Sequence, residues 1–212
     1  MKRKMEYMLA GAMAVVVALS STGCSTTRQE RSAQAATKMA ELRDLLDQGE
    51  KQIDAVQKAV TDLHRADASH LRKAYDRFDS EAEKMRNIAG KVKATYSAMK
   101  KQSDAYFKEW EAELGEIHNR DLSKLAQERR TLLKQHYQSI QDATRQLKNS
   151  YAAYDRDIAD MQRFLGNDLT RAGSSMATPY LERLAAEAAA VKAATADTRE
   201  RVAMLARIMA PE

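Results

Sequence analysis

The side chains that could do chemistry here are few: one cysteine and four histidines. Cys24 follows Ser21-Thr22-Gly23. A thiol directly after small residues and a glycine is suited to acylation, as a thioether to a diacylglycerol, with a further acyl chain on the amine that cleavage frees. His64, His70, His118 and His136 lie near helix ends or on polar faces. His64, Asp67 and His70 could gather around a metal at one turn, but bundle metal sites draw paired ligands from two helices and no second pair is present. Capping or solvation is the expectation for all four. Nucleophile motifs, a phosphate-cradling glycine loop and zinc spacings are missing. The methionines after Cys24 fall mostly on apolar seams, where Met fills gaps, so a haem is not expected. The expectation is therefore no catalytic residue, no metal, no cofactor and no enzyme activity.

What precedes Cys24 determines whether it is acylated. Lys2, Arg3 and Lys4 lead into an apolar stretch from Met8 to Leu19 that is too short for a comfortable membrane span. This is the layout of a bacterial lipoprotein signal peptide over residues 1–23, with Cys24 at the first mature position. It departs from the usual pattern at Ser21, where Leu is commonest, which predicts slower processing; the nearest large aliphatic is Leu19. The alternative is an ordinary secretory signal that leaves a free thiol. Ser25 follows the cysteine, where Asp would favour inner-membrane retention in many Gram-negative lipoproteins, so the anchor is expected in the outer membrane, facing the periplasm.

Removing residues 1–23 takes away three basic residues and one acidic, and lowers the net charge from +5 to +3. A nucleic-acid partner is accordingly not expected. Two prolines in 212 residues, five glycines after Cys24 and abundant Ala, Glu, Lys, Arg, Gln and Leu make a helix composition. With one thiol there is no internal disulfide, so packing between helices must hold the fold.

Apolar residues recur at alternating steps of four and three, the 3.5-residue period of helices that share a seam. A first run extends from Ala35 to Leu63, with Gly49 at a seam position. Asp67-Ala68-Ser69 breaks it, and a second run extends from Leu71 to Ile117. His118-Asn119-Arg120-Asp121 offers caps for a third helix whose seam reaches Leu165, and Gly166, Gly173 and Ser174-Ser175 mark a connection. Thr178 and Pro179 open a fourth helix to Met209.

The expected fold is all-α: an elongated antiparallel bundle or coiled coil of four helices, the second and third longest. Residues 24–34 form a lipidated cysteine with a polar tether, and 35–209 a single domain. Helices 2 and 3 are expected to run antiparallel, because Asp104, Glu109, Glu111, Glu113 and Glu116 end one while Arg120, Lys124, Arg129, Arg130 and Lys134 start the other. Both blocks oppose the helix macrodipole unless they lie side by side. Helix lengths place a hairpin of residues 101–136 beyond the four-helix section, projecting about 25 Å. On it Tyr106, Phe107, Trp110, Leu114 and Ile117 form the candidate interaction surface, with Phe107 and Leu114 expected on its uncovered flank.

Phe107-Lys108-Glu109-Trp110-Glu111-Ala112-Glu113-Leu114, with the long third helix and Phe164-Leu165-Gly166-Asn167-Asp168-Leu169, resembles a domain-of-unknown-function family of Gram-negative predicted lipoproteins with coiled-coil helices. The resemblance covers roughly residues 70–210 and implies fold and envelope location only, with no site residue to carry over. A second candidate surface is the basic run Lys84, Arg86, Lys91, Lys93, Lys100 and Lys101, which has no acidic residue from 84 to 103. It could meet anionic headgroups, although a solvated face is the commoner use of such a run. The function expected is that of a lipid-anchored periplasmic scaffold or adaptor that binds another envelope protein, or its own copy, through helical surfaces. The alternative is a helical module that binds anionic membrane surfaces.

Overall fold

The apolar period becomes four long helices and one short one. A computed structural model describes residues 28–209, which run α1 Arg28–Arg65, α2 Leu71–Leu114, α3 Arg120–Asn167, α4 Arg171–Met176 and α5 Thr178–Met209. Among the described residues 92% are helical and none lies in a strand. The leader 1–23 and Cys24 lie outside the described residues.

Three boundaries differ from the sequence reading. α1 begins at Arg28, so residues 28–34, expected as tether, are helical. Their composition is helix-forming, and Glu30 sits in the first turn, where a carboxylate complements the dipole. α2 stops at Leu114 and not at Ile117, after which Gly115, Glu116 and Ile117 donate to carbonyls three residues back. The connection 166–175 contains α4, so there are five helices, not four. Thr170 caps α4 by accepting from the Gly173 N–H at 3.0 Å.

The other caps follow local chemistry. The Asn119 side chain accepts from the N–H groups of Asp121 and Leu122 at 3.0 and 3.1 Å, satisfying two donors that start α3. At the α1–α2 turn one oxygen of Asp67 receives the N–H groups of Ser69 and His70 and the Ser69 hydroxyl. These bonds, the Ser69 hydroxyl first and the His70 ring next, hold the carboxyl down at about 2.

Neighbours in the bundle run antiparallel. α1 lies against both α2 and α5, and α3 against α5, while the backbones of α2 and α3 come much less close. Side-chain size accounts for the asymmetry. α5 buries Ala188, Val191, Ala194, Thr195 and Thr198, small residues that let α1 and α3 approach. Its two buried threonines return their hydroxyls to the carbonyls four residues back, at 2.8 Å each, so neither hydroxyl is stranded in the core. The α2–α3 face instead carries Tyr75, Tyr96, Tyr137 and Tyr151, which hold the two helices apart.

Polar pairs set the register. Lys192 meets Asp54 at 2.7 Å and Arg199 meets Asp47 and Glu50 at 2.5 and 3.0 Å across α1–α5. Arg183 meets Asp157 at 2.6 Å across α3–α5, and Gln52 donates to Glu81 at 2.7 Å across α1–α2. The Arg130 guanidinium donates to Glu111, one of the crossings expected from the opposed charge blocks. At the same end Ser32 donates to the Met209 carbonyl at 3.4 Å and Arg129 to the Ile208 carbonyl at 2.7 Å. The start of α1 and the end of α5 thus reach α3 at residue 129, nearly level with residue 111 of α2. The part of the α2–α3 hairpin beyond them is therefore about 10 Å long, shorter than the 101–136 segment expected, chiefly because α1 starts earlier. At the opposite end Arg171 donates to the carbonyls of Ala66 and His64 at 2.6 and 3.2 Å, fastening α4 to the end of α1.

Two glycines test this packing in opposite directions. A Cβ on Gly49 would sit 3.8 Å from Ile88 Cγ2, an ordinary contact, whereas on Gly173 it would fall 2.4 Å from the Asp168 carbonyl oxygen. Gly49→Ala is expected to stabilise by up to about 1 kcal/mol through lost chain entropy. Gly173→Ala is expected to cost about 1–3 kcal/mol as α4 is pushed off the end of α3. Paired thermal melts check both, and a lower melting temperature for Gly49→Ala would show that α1 and α2 have no room at that level.

Candidate interaction surfaces

The aromatic run of α2 was expected to offer an uncovered flank, and the structure buries its centre. Tyr106 and Phe107 are only 8% and 6% exposed. Their ring centroids lie 5.4 Å apart edge to face, Tyr106 meets Trp110 at 5.6 Å, and Phe107 meets Tyr137 of α3 at 5.5 Å. Trp110, Leu114 and Ile117 are half-buried. Phe107 is therefore a core residue and not on an uncovered flank, packed between Tyr106 and Tyr137 of α3. Leu114 too is more covered than an open flank would leave it.

The basic run divides. Arg86 spans the wide α2–α3 gap, with Nε 2.7 Å from Asp155 Oδ1 and a terminal nitrogen 2.7 Å from Gln162 Oε1. It is a half-buried crosslink. Lys84 pairs with Glu81 at 2.9 Å and Lys100 with Asp104 at 2.6 Å. The hydrogen bond that Lys100 donates to Asp104, and then the carboxylate's charge, raise the Lys100 ammonium above its ordinary range. Lys91, Lys93 and Lys101 are exposed, as are Lys84 and Lys100, so Arg86 is the one of the six drawn into the bundle.

The remaining α2–α3 bridges are tyrosines. The Tyr75 hydroxyl donates to the Gln162 carbonyl at 3.0 Å, and the Tyr137 hydroxyl lies 3.0 Å from Asp104 Oδ1 and 3.2 Å from the Lys100 carbonyl. Tyr154, fully buried, accepts from the Gln57 amide of α1 at 2.7 Å. Burial pushes Tyr154 up to about 12 against the opposing pull of Gln57, and burial likewise raises Tyr137 and Tyr151.

The apolar surface that does remain lies where the sequence reading did not place it. On the first half of α3, Leu122, Leu125 and Leu132 are 57%, 61% and 44% exposed. They follow a 3-and-7 spacing one residue ahead of the more covered line through half-buried Ala126 and buried Leu133. The available signal was this surplus: α3 carries two apolar lines there, and a seam uses one. At the other end Met176 and Tyr180 are also exposed. Two shallow depressions open to solvent, one beside the α1–α2 turn around Asp67 and His70, the other on α3 around Lys124 and Leu132. Among the described residues no group of three His, Cys, Asp or Glu is placed to hold a metal, and no helix is long and apolar enough to cross a membrane.

Residues 29–180 match the model of a family described as a protein of unknown function, DUF2959. The chain belongs to that family. The match takes in α1 to α4 and stops at the first turn of α5, so it starts earlier and ends sooner than the resemblance read from residues 70–210. No curated protein and no solved structure matches the chain.

Phe107→Glu is expected to destabilise the bundle by about 3 kcal/mol or more, since a carboxylate would replace a buried ring. An unchanged melting temperature would return Phe107 to the surface. The raised phenols set an alkaline limit. The folded state keeps these protons where the unfolded chain, at the ordinary 10.0, releases them. Their contribution to stability is therefore full below about pH 10 and is lost as pH rises toward about 12. Tyrosinate absorbance for these residues should appear together with loss of helical circular dichroism, and ionisation of Tyr137, Tyr151 and Tyr154 before any unfolding would contradict it.

Proposed function

We propose that this protein is a lipid-anchored component of the cell envelope, held at Cys24, facing the periplasm and working as a structural or adaptor module through its helical surfaces. The observation that carries the reading is the form of the surface. α3 alone, at 48 residues, spans about 70 Å, and the depressions on the rod are shallow and open, a form suited to lateral contact with large partners. The Gly-Cys pair behind a basic and apolar leader supports the anchor, and Ser25 supports the outer membrane as its place. The partner is another envelope protein or a second copy of the chain. The membrane-surface alternative loses Arg86 of the basic run, which bridges to Asp155, while Lys84 and Lys100 stay exposed in pairs with acids of their own helix.

Two measurements test this reading. Cys24→Ser should abolish metabolic labelling with a fatty acid and leave either a released soluble chain or an uncleaved precursor; labelling that survives would refute the anchor. Photo-crosslinkers placed at Lys91, Lys93 and Lys101 should then capture a discrete envelope protein in cells from the wild-type background and lose it in the Cys24→Ser background. Capture of lipid alone at all three positions would favour the membrane-surface alternative.

A further inference from the structure

The exposed leucines of the α2–α3 hairpin have a direction, and the rest of the fold supplies it. The start of α1, the end of α5 and the hairpin share one end of the bundle, as the contacts of Ser32 with Met209 and of Arg129 with Ile208 require. Three residues separate Cys24 from Arg28, so the Cys24 Cα lies no more than about 14 Å from the start of α1 even if that segment is fully extended. An acyl chain on Cys24 would therefore bring this end, and not the α4 end, to the bilayer. The hairpin extends past α1 and α5 by about 10 Å, which makes its tip the part of the described protein nearest the lipid.

Leu122 and Leu125 sit on that tip, 57% and 61% exposed, one helical turn apart on α3. We infer that the hairpin tip rests in the headgroup layer of the membrane, with Leu122 and Leu125 inserted at the acyl boundary as a second contact beside the lipid anchor. This rests on the lipid anchor proposed above. Two leucines give a free protein little hold on a membrane, but a tether makes the contact intramolecular, so a weak apolar contact suffices to orient the rod. Charge decides the character of the contact. Between residues 111 and 129 Arg120, Lys124 and Arg129 are outnumbered by Glu111, Glu113, Glu116, Asp121 and Glu128. Attraction to anionic lipid is therefore not the driving force, and the contact should persist in high salt and on neutral vesicles, unlike one made by the basic run of α2. Lys124, between the two leucines, is long enough to extend its ammonium toward the phosphates while its stem stays on the apolar side.

The test uses the chain matured and acylated in cells and reconstituted into neutral phosphatidylcholine vesicles, with mass spectrometry confirming the acyl groups. Acylation blocks Cys24, the only native thiol, so a single cysteine placed at Leu125 accepts an environment-sensitive dye, and one at Ser69, in the turn at the far end, serves as the control. The dye at 125 should shift to the blue and be quenched by a lipid-borne quencher, unchanged in high salt, whereas the dye at 69 should show neither effect. Leu122→Gln, with the dye still at 125, should reduce the quenched fraction about tenfold without altering the melting temperature. Equal wetness at 125 and 69 overturns the inference. Shielding of 125 from aqueous quencher without quenching by lipid also overturns it, and assigns the face to protein, with a second copy shown by a concentration-dependent doubling of mass. A mature chain that carries no lipid mass refutes the anchor itself, and the inference falls with it; a lipidated chain with a wet tip refutes the inference alone.

Discussion

The contact between α1 and α5 makes one body out of two hairpins. α1 pairs with α2 through the first turn and α3 pairs with α5 through the α4 connection, and each pair could in principle close on itself. They are joined because α1 carries an apolar seam wide enough for two neighbours. Leu42, Leu46, Ile53, Val56 and Leu63 are all almost wholly buried, which a single partner helix cannot achieve along so much of a 38-residue helix. Facing them, α5 offers residues small enough for close approach, and the Asp54–Lys192 and Arg199 pairs at the rim fix how the two slide. These rim pairs are worth little individually in exposed positions; their effect is on register more than on strength.

The opposite face of the bundle is built on another principle. Where α2 and α3 face each other, hydroxyls and a guanidinium reach across a gap that alkyl side chains do not fill. Arg86, Tyr75 and Tyr137 each find an acceptor on the far helix, so directed bonds across the seam add to the packing of Phe107 against Tyr137. Such bonds exchange with water at small net cost, and this seam is the natural place for the bundle to open locally while the α1–α5 joint holds.

The period of apolar residues was enough to locate α2, α3 and α5 within a few residues, because a 3.5-residue repeat is a geometric property of each helix taken alone. Asn119, Thr178 and Pro179 marked helix starts for the same local reason. What the sequence did not disclose depends on relations between helices. The early start of α1 has no apolar seam residue before Ala35; it is a polar helical turn stabilised by proximity to the end of α5. α4 is too short to show a period. Phe107 was misplaced because its burial depends on a ring of another helix, Tyr137 of α3, and Leu122 and Leu125 were overlooked because a seam-based reading has no place for apolar residues that lie beside the seam.

One consequence follows from how the tyrosines bridge α2 and α3. Tyr75 and Tyr137 reach main-chain carbonyls, those of Gln162 and Lys100, and a carbonyl is present whatever side chain that residue carries. The spacing between the two longest helices is therefore partly independent of the residue types opposite each tyrosine. Position 100, whose own side chain turns along α2 toward Asp104, can drift in evolution without changing the width of the gap, whereas the tyrosines cannot. A bundle made this way keeps its cross-section while its outer face diversifies, so related chains with little in common along that face can still share one girth.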